Sequence, residues 1–343
     1  MHNPEGSIYG QIKLDLSEDL RIGKENDENY FMYRIRGMDV DAEGNIYVVD
    51  MSNQRVQVFD RTGAYLKTIG RQGQGPGEFE QPTKIRINRW NGMICVKDQV
   101  IAIDLFNKQA EYIKSIKLSH AIWDFIPVLD YMFYVILTRT SDEELKSVNV
   151  LVEINDKGEE IRHFGEFSYS LYMQRVEGGT MSVTTGFETT LHFTLLNSKD
   201  IVYGYSKDYE LNVLDINGDM LFKIRKEADV PKFTLQEKAK LKKIPLPEDK
   251  PYFFSLLSDS KNRIYVQRNK SEEGIRGYGP LDVEEKQMDV FNEEGYFLFT
   301  TTLPPNTWVI RDRYIYVHSL DEEEGIEYVI RYKINNWDKL KTR

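Results

Sequence analysis

Cysteine is nearly absent from this chain of 343 residues, because Cys95 is the only one. A single thiol excludes an intramolecular disulfide and any site built from several cysteine ligands. Cys95 lies in the apolar run 93–96, which is typical of a small core residue. Long apolar runs are also missing. Asp124 and Pro127 interrupt the most apolar stretch, 121–137, so we expect two strands there and no transmembrane segment.

The chain lacks an excess of positive charge as well. Its formal net charge is −10 and its pI about 5.2, so its overall field repels phosphate backbones, and we do not expect nucleic acid as a partner. The first six residues show no basic region followed by an apolar run, so no signal peptide is visible. Aromatic residues are plentiful at 12%, and their preference for pleated surfaces favours a β protein.

A repeated pattern of short apolar runs and tight turns organises the chain. In its clearest copy, 37–70, the Asp/Gly turns 41–45 and 60–63 separate apolar runs. Four strands joined in this way form a meander, which is one blade of a propeller. The copies predict an all-β, six-bladed β-propeller of four-stranded antiparallel blades, in a single domain spanning 1–343. The predicted blades are 35–70, 83–118, 121–164, 190–225, 252–303 and 305–334.

The last copy contains only three good strands. Residues 7–14 alternate between Ile8, Gly10, Ile12 and Leu14 on one side and polar or aromatic residues on the other. Pairing this N-terminal segment into the last blade closes the ring and leaves no open sheet edge. We therefore predict that 7–14 supplies the fourth strand of blade six.

The first copy and its connector carry a family resemblance. The unit 37–70 contains an Asp, Gly, Asn, Ile-Tyr-Val and Asp core, and a Gly-x-Gly-Pro-Gly-Glu-Phe connector follows at 73–79. Together they resemble the NHL repeat and the bacterial six-bladed propellers related to it, specifically over 35–118 and only in architecture beyond. The resemblance implies a propeller. It favours an extracytoplasmic setting with the leader trimmed, because such proteins are often exported or lipid-anchored; the alternative is the cytoplasm.

The long connections are predicted to gather on one face. In a blade with strands A to D from centre to rim, the B–C loops and D–A crossovers share one face, and the A–B and C–D turns share the other. Here the second set is tight, whereas the first set is long at 70–82, 139–147, 165–190, 226–251, 268–286 and 320–325. Loops elaborated on one rigid face are typical of a recognition surface. The alternative interpretation is that these long connections are merely tolerated insertions.

Aromatic and arginine side chains in these connections supply the candidate binding residues, because they offer rigid contact area and planar hydrogen-bonding groups. The candidates are Arg71, Glu78, Gln81, Tyr169, Tyr172, Arg175, Tyr252, Arg276, Tyr278 and Trp308. Packing of the loops against the blades is the competing interpretation. Asp50 and Arg55 bracket one B–C loop, and their spacing predicts a structural ion pair.

No catalytic set is readable, since neither a HExxH motif nor a nucleophile elbow is present. We therefore predict a non-catalytic binding or sensor propeller that recognises a protein segment or a saccharide on its loop-rich face and central channel. The alternative is a metal-assisted hydrolase or lyase, because the resembled propellers include lactonases and an amidating lyase with an axial metal. His120, His192 and His318 lie in or near different blades and would be the ligands of such a calcium or zinc ion.

Overall fold

The computed structural model describes residues 1–129, 132–141, 146–169, 172–176, 179–183, 186–240, 246–268 and 284–342. Their strands form six sheets with four antiparallel strands each, one of which gains a fifth, parallel strand, together with a separate two-stranded hairpin. The all-β, six-bladed propeller predicted from the sequence is confirmed. No helix in the described ranges is long and apolar enough to cross a membrane.

Two strands precede the first blade, namely β1 (His2–Asn3) and β2 (Leu16–Ile22). Blade one consists of β3 (Ile35–Val40), β4 (Ile46–Asp50), β5 (Arg55–Phe59) and β6 (Tyr65–Ile69). Blade two consists of β7 (Pro82–Ile87), β8 (Ile94–Asp98), β9 (Ala102–Phe106) and β10 (Tyr112–Lys117). Blade three consists of β11 (Ala121–Pro127), β12 (Phe133–Ser141), β13 (Lys146–Ile154) and β14 (Glu160–Tyr169).

A hairpin of β15 (Tyr172–Val176) and β16 (Gly179–Val183) follows blade three. Blade four consists of β17 (Leu191–Leu195), β18 (Ile201–Tyr205), β19 (Glu210–Leu214) and β20 (Met220–Lys226). After the short helix α1 (Leu235–Lys240), blade five consists of β21 (Ser255–Ser258), β22 (Ile264–Gln267), β23 (Lys286–Phe291) and β24 (Phe297–Leu303). Blade six contains β25 (Thr307–Arg311), β26 (Tyr314–Asp321) and β27 (Ile326–Ile334), and a 3₁₀ turn (Trp337–Lys339) follows.

The tight turns form because an Asp or Asn side chain accepts backbone N–H groups two and four residues further on. Asp41 Oδ1 accepts from Glu43 and Asn45 at 3.0 and 2.8 Å, and Asp215 Oδ1 accepts from Asn217 and Asp219 at 2.9 Å each. Each such turn leaves one strand and enters the next on the same face. The predicted Asp/Gly turns are therefore confirmed by their hydrogen bonds.

The hydrophobic core lies between neighbouring blades. Val49 and Val58 of blade one, for example, pack in one buried cluster with Ile85 and Val96 of blade two. Alternate residues of each strand thus face opposite neighbours, which explains why the middle strands are buried on both sides. The first strand of each blade is left innermost, lining the central channel.

The strand that closes the ring lies later in the sequence than the predicted segment 7–14. Strand β2 (Leu16–Ile22) pairs antiparallel with β27 and completes blade six. Residues 7–14, the predicted closing strand, instead follow the outer edge of blade five, where the Ile8 and Ile12 N–H groups donate to Phe297 and Thr300 at 3.0 and 2.8 Å. Strand β1 adds in parallel to β20 of blade four. The N-terminal segment therefore covers two outer edges before it closes the ring.

The connection after blade three contains paired strands where an irregular loop was predicted. Strand β14 runs on to Tyr169, beyond the predicted end of blade three at residue 164, and β15 and β16 pair within the segment predicted as an irregular connection. Alternating residues such as Glu166 to Tyr169 continue the pairing with β13 because that strand also begins early, at Lys146. A short helix precedes blade five, and its start is capped by reciprocal bonds between Thr234 and Glu237 at 2.7 and 3.1 Å.

Candidate binding site at the mouth of the central channel

The six innermost strands enclose a cavity of about 260 Å³ at the face that carries the B–C loops and D–A crossovers. We call this cavity the channel mouth. Each innermost strand contributes to it near its first residues, where the chain enters the blade from the crossover. The side chains that define it are Arg36, Lys84, Arg86, Trp123, Asp124, His192, Lys286 and Trp308.

Asp124 is the centre of the charged groups in the channel mouth. Its carboxylate lies 2.7 Å from Lys84 Nζ and 3.2 Å from Arg86 Nη2, and it also accepts the Phe125 N–H at 2.8 Å. Burial alone would raise the pKa of Asp124, but the two cations outweigh burial and hold the pKa below its usual value. Asp124 therefore remains ionised and ties blade two to blade three.

Lysine side chains occupy directly opposed positions beside this carboxylate. Lys84 on β7 and Lys97 on β8 are cross-strand partners. Burial, and next the charge of Lys84, lower the pKa of Lys97 to about 8, whereas Asp124 acts in the opposite direction. The pKa of Lys84 is lowered too, by burial, although Asp124 lies beside it.

Two tryptophans bring apolar surface to the same cavity. Trp123 on β11 is 44% exposed, and Trp308 on β25 packs against the His318 ring with centroids 5.0 Å apart. Their indole rings lie at the channel mouth together with Phe193. The cavity thus combines flat apolar faces with fixed cations, the mixture by which ligand pockets hold and orient a small group.

The opposite half of the channel is narrower, with a volume of about 100 Å³. Arg89 lies on the A–B turn of blade two and crosses this end to donate to Leu195 O and Asn197 Oδ1 of blade four, at 3.2 and 2.9 Å. Asp39 Oδ2 accepts the Ile87 N–H at 2.8 Å and links blades one and two at the same level. This end is therefore bridged by hydrogen bonds, whereas the channel mouth opens towards the long connections.

Three of the predicted binding residues lie in the first crossover. Arg71 pairs with Glu78 at 2.8 Å, and Glu78 also accepts the Gly75 N–H at 2.9 Å. The Gly75 and Arg71 bonds lower the pKa of Glu78. The Gln81 N–H donates to Asp98 at 2.7 Å, and the Gln81 side chain lines a surface groove of about 480 Å³. The other side chains of this glutamine groove include Gln54, Gln72, Gln74, Glu80 and Gln99.

The remaining predicted residues are dispersed. Tyr252 packs edge-on against Tyr209, with centroids 6.2 Å apart, beside the core of blades four and five. Trp308 lies on the innermost strand β25, not in a long loop as predicted, and so belongs to the channel mouth. Tyr169, Tyr172 and Arg175 occupy strand positions in β14 and β15. The predictions for Arg276 and Tyr278 fall outside the described residues.

The histidines do not assemble into a metal site. His318 Nε2 lies 2.7 Å from Glu327 Oε2, and Glu327 also accepts the N–H groups of Arg34 and Ile35 at 2.8 and 2.7 Å. His192 belongs to the channel mouth, and His120 is exposed beside Ser119. Within the ranges that the structure describes, no group of three or more His, Cys, Asp or Glu side chains could hold a metal ion.

The charged residues of the channel mouth were missed in the sequence. A signal existed: the innermost strands should be buried, yet 82–87 and 121–127 carry Lys84, Arg86, Trp123 and Asp124. Aligning the first strands of all six copies and noting charged positions in them would have indicated the channel.

Comparison with known proteins agrees with this architecture. Residues 26–213 match the DUF5128 family, which is described as a 6-bladed beta-propeller, and the chain belongs to that family. A Bacteroides fragilis protein of known structure is 12% identical, with a TM-score of 0.60 over 97% of this chain and 99% of its own. A member of the duf4221 family from Bacteroides vulgatus is 14% identical, with a TM-score of 0.58 over 93% and 98%.

One curated relative resembles a short part of the chain. Protein brain tumor of Drosophila melanogaster is 26% identical over 80 residues, which are 23% of this chain and 8% of that protein. The match covers only this small share of its length. The match over residues 26–213 establishes the family, and the likeness to the two Bacteroides structures supports the fold alone.

Proposed function

We propose that the protein is a binding propeller that holds a small part of a ligand, either a saccharide unit or a protein segment, in the channel mouth. The observation that carries the proposal is a cavity to which all six innermost strands contribute, with Trp123 and Trp308 beside fixed charges. Its volume of about 260 Å³ approaches the lower end of ordinary small-ligand pockets, ~300 Å³. The ligand therefore inserts one residue or one ring.

The long connections surround the entrance and would supply the outer contacts. The glutamine groove of about 480 Å³ lies in the first crossover on the same face, and its amide groups offer both donors and acceptors. A ligand anchored in the channel mouth would extend over this face. Trp308 is then the anchor, and Arg71, Glu78 and Gln81 form part of the outer surface.

The test is a binding screen with matched tryptophan variants. Defined neutral and acidic saccharides and short peptides are titrated while tryptophan fluorescence and heat are recorded. A ligand of the wild-type protein should bind at least about tenfold more weakly to Trp308→Ala and Trp123→Ala, the loss expected for an aromatic anchor. Trp90→Ala is the control, because Trp90 lies on an A–B turn at the opposite face.

A contrary result is equally specific. A ligand whose affinity is unchanged in both channel variants but lost in Arg71→Ala would place the site in the first crossover. Thermal unfolding of each variant separates loss of binding from loss of folding, and Trp308→Phe serves where Trp308→Ala unfolds.

A further inference from the structure

The channel mouth is positively charged in a negatively charged protein. Among the residues that the structure describes, its lining contains four cationic side chains, Arg36, Lys84, Arg86 and Lys286, and one carboxylate, Asp124, whereas the chain as a whole carries −10. Within a narrow low-dielectric channel such an excess focuses the potential on whatever enters. The local sign is therefore opposite to that of the whole molecule.

Two of the cations in and beside the channel mouth are placed unfavourably for folding. Lys84 and Lys97 are direct cross-strand partners, and like charges at such positions destabilise a sheet. Asp124 is already shared between Lys84 and Arg86, so it attracts Lys97 only at longer range. The pKa of Lys97 is lowered to about 8, first by burial and next by the charge of Lys84. A negatively charged ligand group beside Lys84 would offset the repulsion between the two lysines.

The two tryptophans indicate which chemical group of the ligand would carry the negative charge. Trp123 is 44% exposed at the entrance, and Trp308 lies across the channel on another blade. Indole faces pack well against the C–H faces of a sugar ring, and the cavity volume of about 260 Å³ suits one ring. A carboxylate or sulfate on that ring would then reach Lys84 and Arg86.

We infer that the channel mouth binds an acidic saccharide, with the ring between Trp123 and Trp308 and its carboxylate or sulfate beside Lys84 and Arg86. This inference rests on the proposed function and adds the chemical class of the ligand. Lys84 and Arg86 line the cavity and recognise the negative group, Lys97 adds positive charge behind them as the cross-strand partner of Lys84, and the tryptophans recognise the ring.

The experiment uses glucuronate as the probe, glucose as its neutral counterpart and an acetylated glutamate peptide as an acidic counterpart without a ring. Binding to the wild-type protein, Lys97→Met and Arg86→Gln is titrated at constant ionic strength. Glucuronate should bind at least about tenfold more tightly than glucose, and each variant should lose about tenfold in affinity for glucuronate alone, the size of one charge-assisted contact. Lys207→Gln is the matched control, because Lys207 is exposed in the B–C loop of blade four.

A second readout is independent of affinity. Lys97→Met should unfold at a higher temperature than the wild-type protein without ligand, since it removes the opposed charges, and glucuronate should no longer raise that temperature. A lower unfolding temperature for Lys97→Met would mean that Lys97 is structural and would overturn the inference.

The outcomes distinguish this inference from the proposed function. Equal affinity for glucose and glucuronate, or binding of the peptide but not of glucuronate, overturns the acidic saccharide and leaves a binding propeller. Absence of glucuronate binding in the millimolar range also overturns the inference. If, in addition, no member of the wider screen depends on Trp308, the proposed function fails as well.

Discussion

The Arg55 guanidinium donates from Nε to the buried carboxylate of Asp50, 2.9 Å away, and from Nη2 to the carbonyl groups of Glu28 and Phe31. Asp50 in turn accepts the N–H of Tyr33 at 2.9 Å. One ion pair thus fastens the crossover that enters blade one, confirming the structural role predicted from the spacing. The Asp50–Arg55 pair therefore holds the segment that follows the closing strand β2 against blade one.

Breaking this pair should be costly. Arg55→Ala leaves the fully buried Asp50 charge without its partner, and we expect a loss of about 3 kcal/mol in the free energy of unfolding. A double-mutant cycle with Asp50→Asn, measured by denaturant unfolding, should show coupling of at least ~1 kcal/mol. Arg71→Ala is the control and should change stability much less, because the Arg71–Glu78 pair is exposed. Zero coupling would contradict the role of the pair.

Asp104 should make the protein more stable in mild acid. Burial raises the pKa of this carboxyl to about 6, so the native state holds the proton more tightly than the unfolded chain. Its contribution is present at low pH and is lost as the pH rises through about 6. Asp104→Asn keeps an acceptor for Ser115 and should raise the free energy of unfolding at neutral pH by on the order of 2 kcal/mol.

The gain from Asp104→Asn should shrink as the pH falls and vanish only below the unfolded pKa of 3.8, where Asp104 is protonated in both the native and the unfolded state. Unfolding curves at several pH values measure this. Asp156→Asn is the control: Asp156 is paired with Lys114 and its pKa is lowered, so this change should bring no gain. A gain for Asp104→Asn that is independent of pH would contradict the explanation.

Two N-terminal deletions should behave differently. Removing residues 1–22 takes away β2 and opens the ring at blade six, so the unfolding temperature should fall sharply. Removing 1–12 keeps β2 but exposes the outer edges of blades four and five. That variant should remain folded and self-associate, as light scattering would show. An unchanged unfolding temperature after removal of 1–22 would refute closure by β2.

Affinity for glucuronate should depend on the ionisation of Lys97. Its pKa is about 8, and the charged groups beside it are Lys84, Asp124 and, through Asp124, Arg86. Protonated Lys97 attracts the carboxylate, so affinity should fall as the pH rises from ~7 to ~9, offset in part because the bound anion raises the lysine pKa. The profile of Lys97→Met should be flat over this range. Parallel profiles for the two proteins would exclude the role of Lys97.

Features that depend on residues close together in the chain could be predicted from the sequence. Features that depend on contacts between distant parts of the chain could not. The Asp and Asn turns depend on side chains that bond within four residues, so their pattern predicts them directly. The closing strand was misplaced because 7–14 alternates more regularly than 16–22, where only Leu16, Leu20 and Ile22 are apolar. The choice depends on which segment meets β27, a contact more than 300 residues away in the chain.

The channel mouth could not be predicted residue by residue for the same reason. Arg36, Lys84, Asp124 and Trp308 come from four different blades and meet only when the ring closes. The sequence does predict that a channel exists and that long connections surround one end of it. The charged residues of the innermost strands mark the channel, but the sequence does not show which of them meet one another, because the partners lie on different blades.

The hydrogen bonds of Arg89 to blade four span the narrow end of the channel. A polymer that could not pass this narrow end would offer the channel mouth only a chain end or a protruding side branch. Binding would then depend on the number of chain ends and branches. A long glycan with blocked ends would not bind, whereas its fragments would. Cleavage of the polymer by another enzyme would thereby raise the number of ligands without changing its total mass.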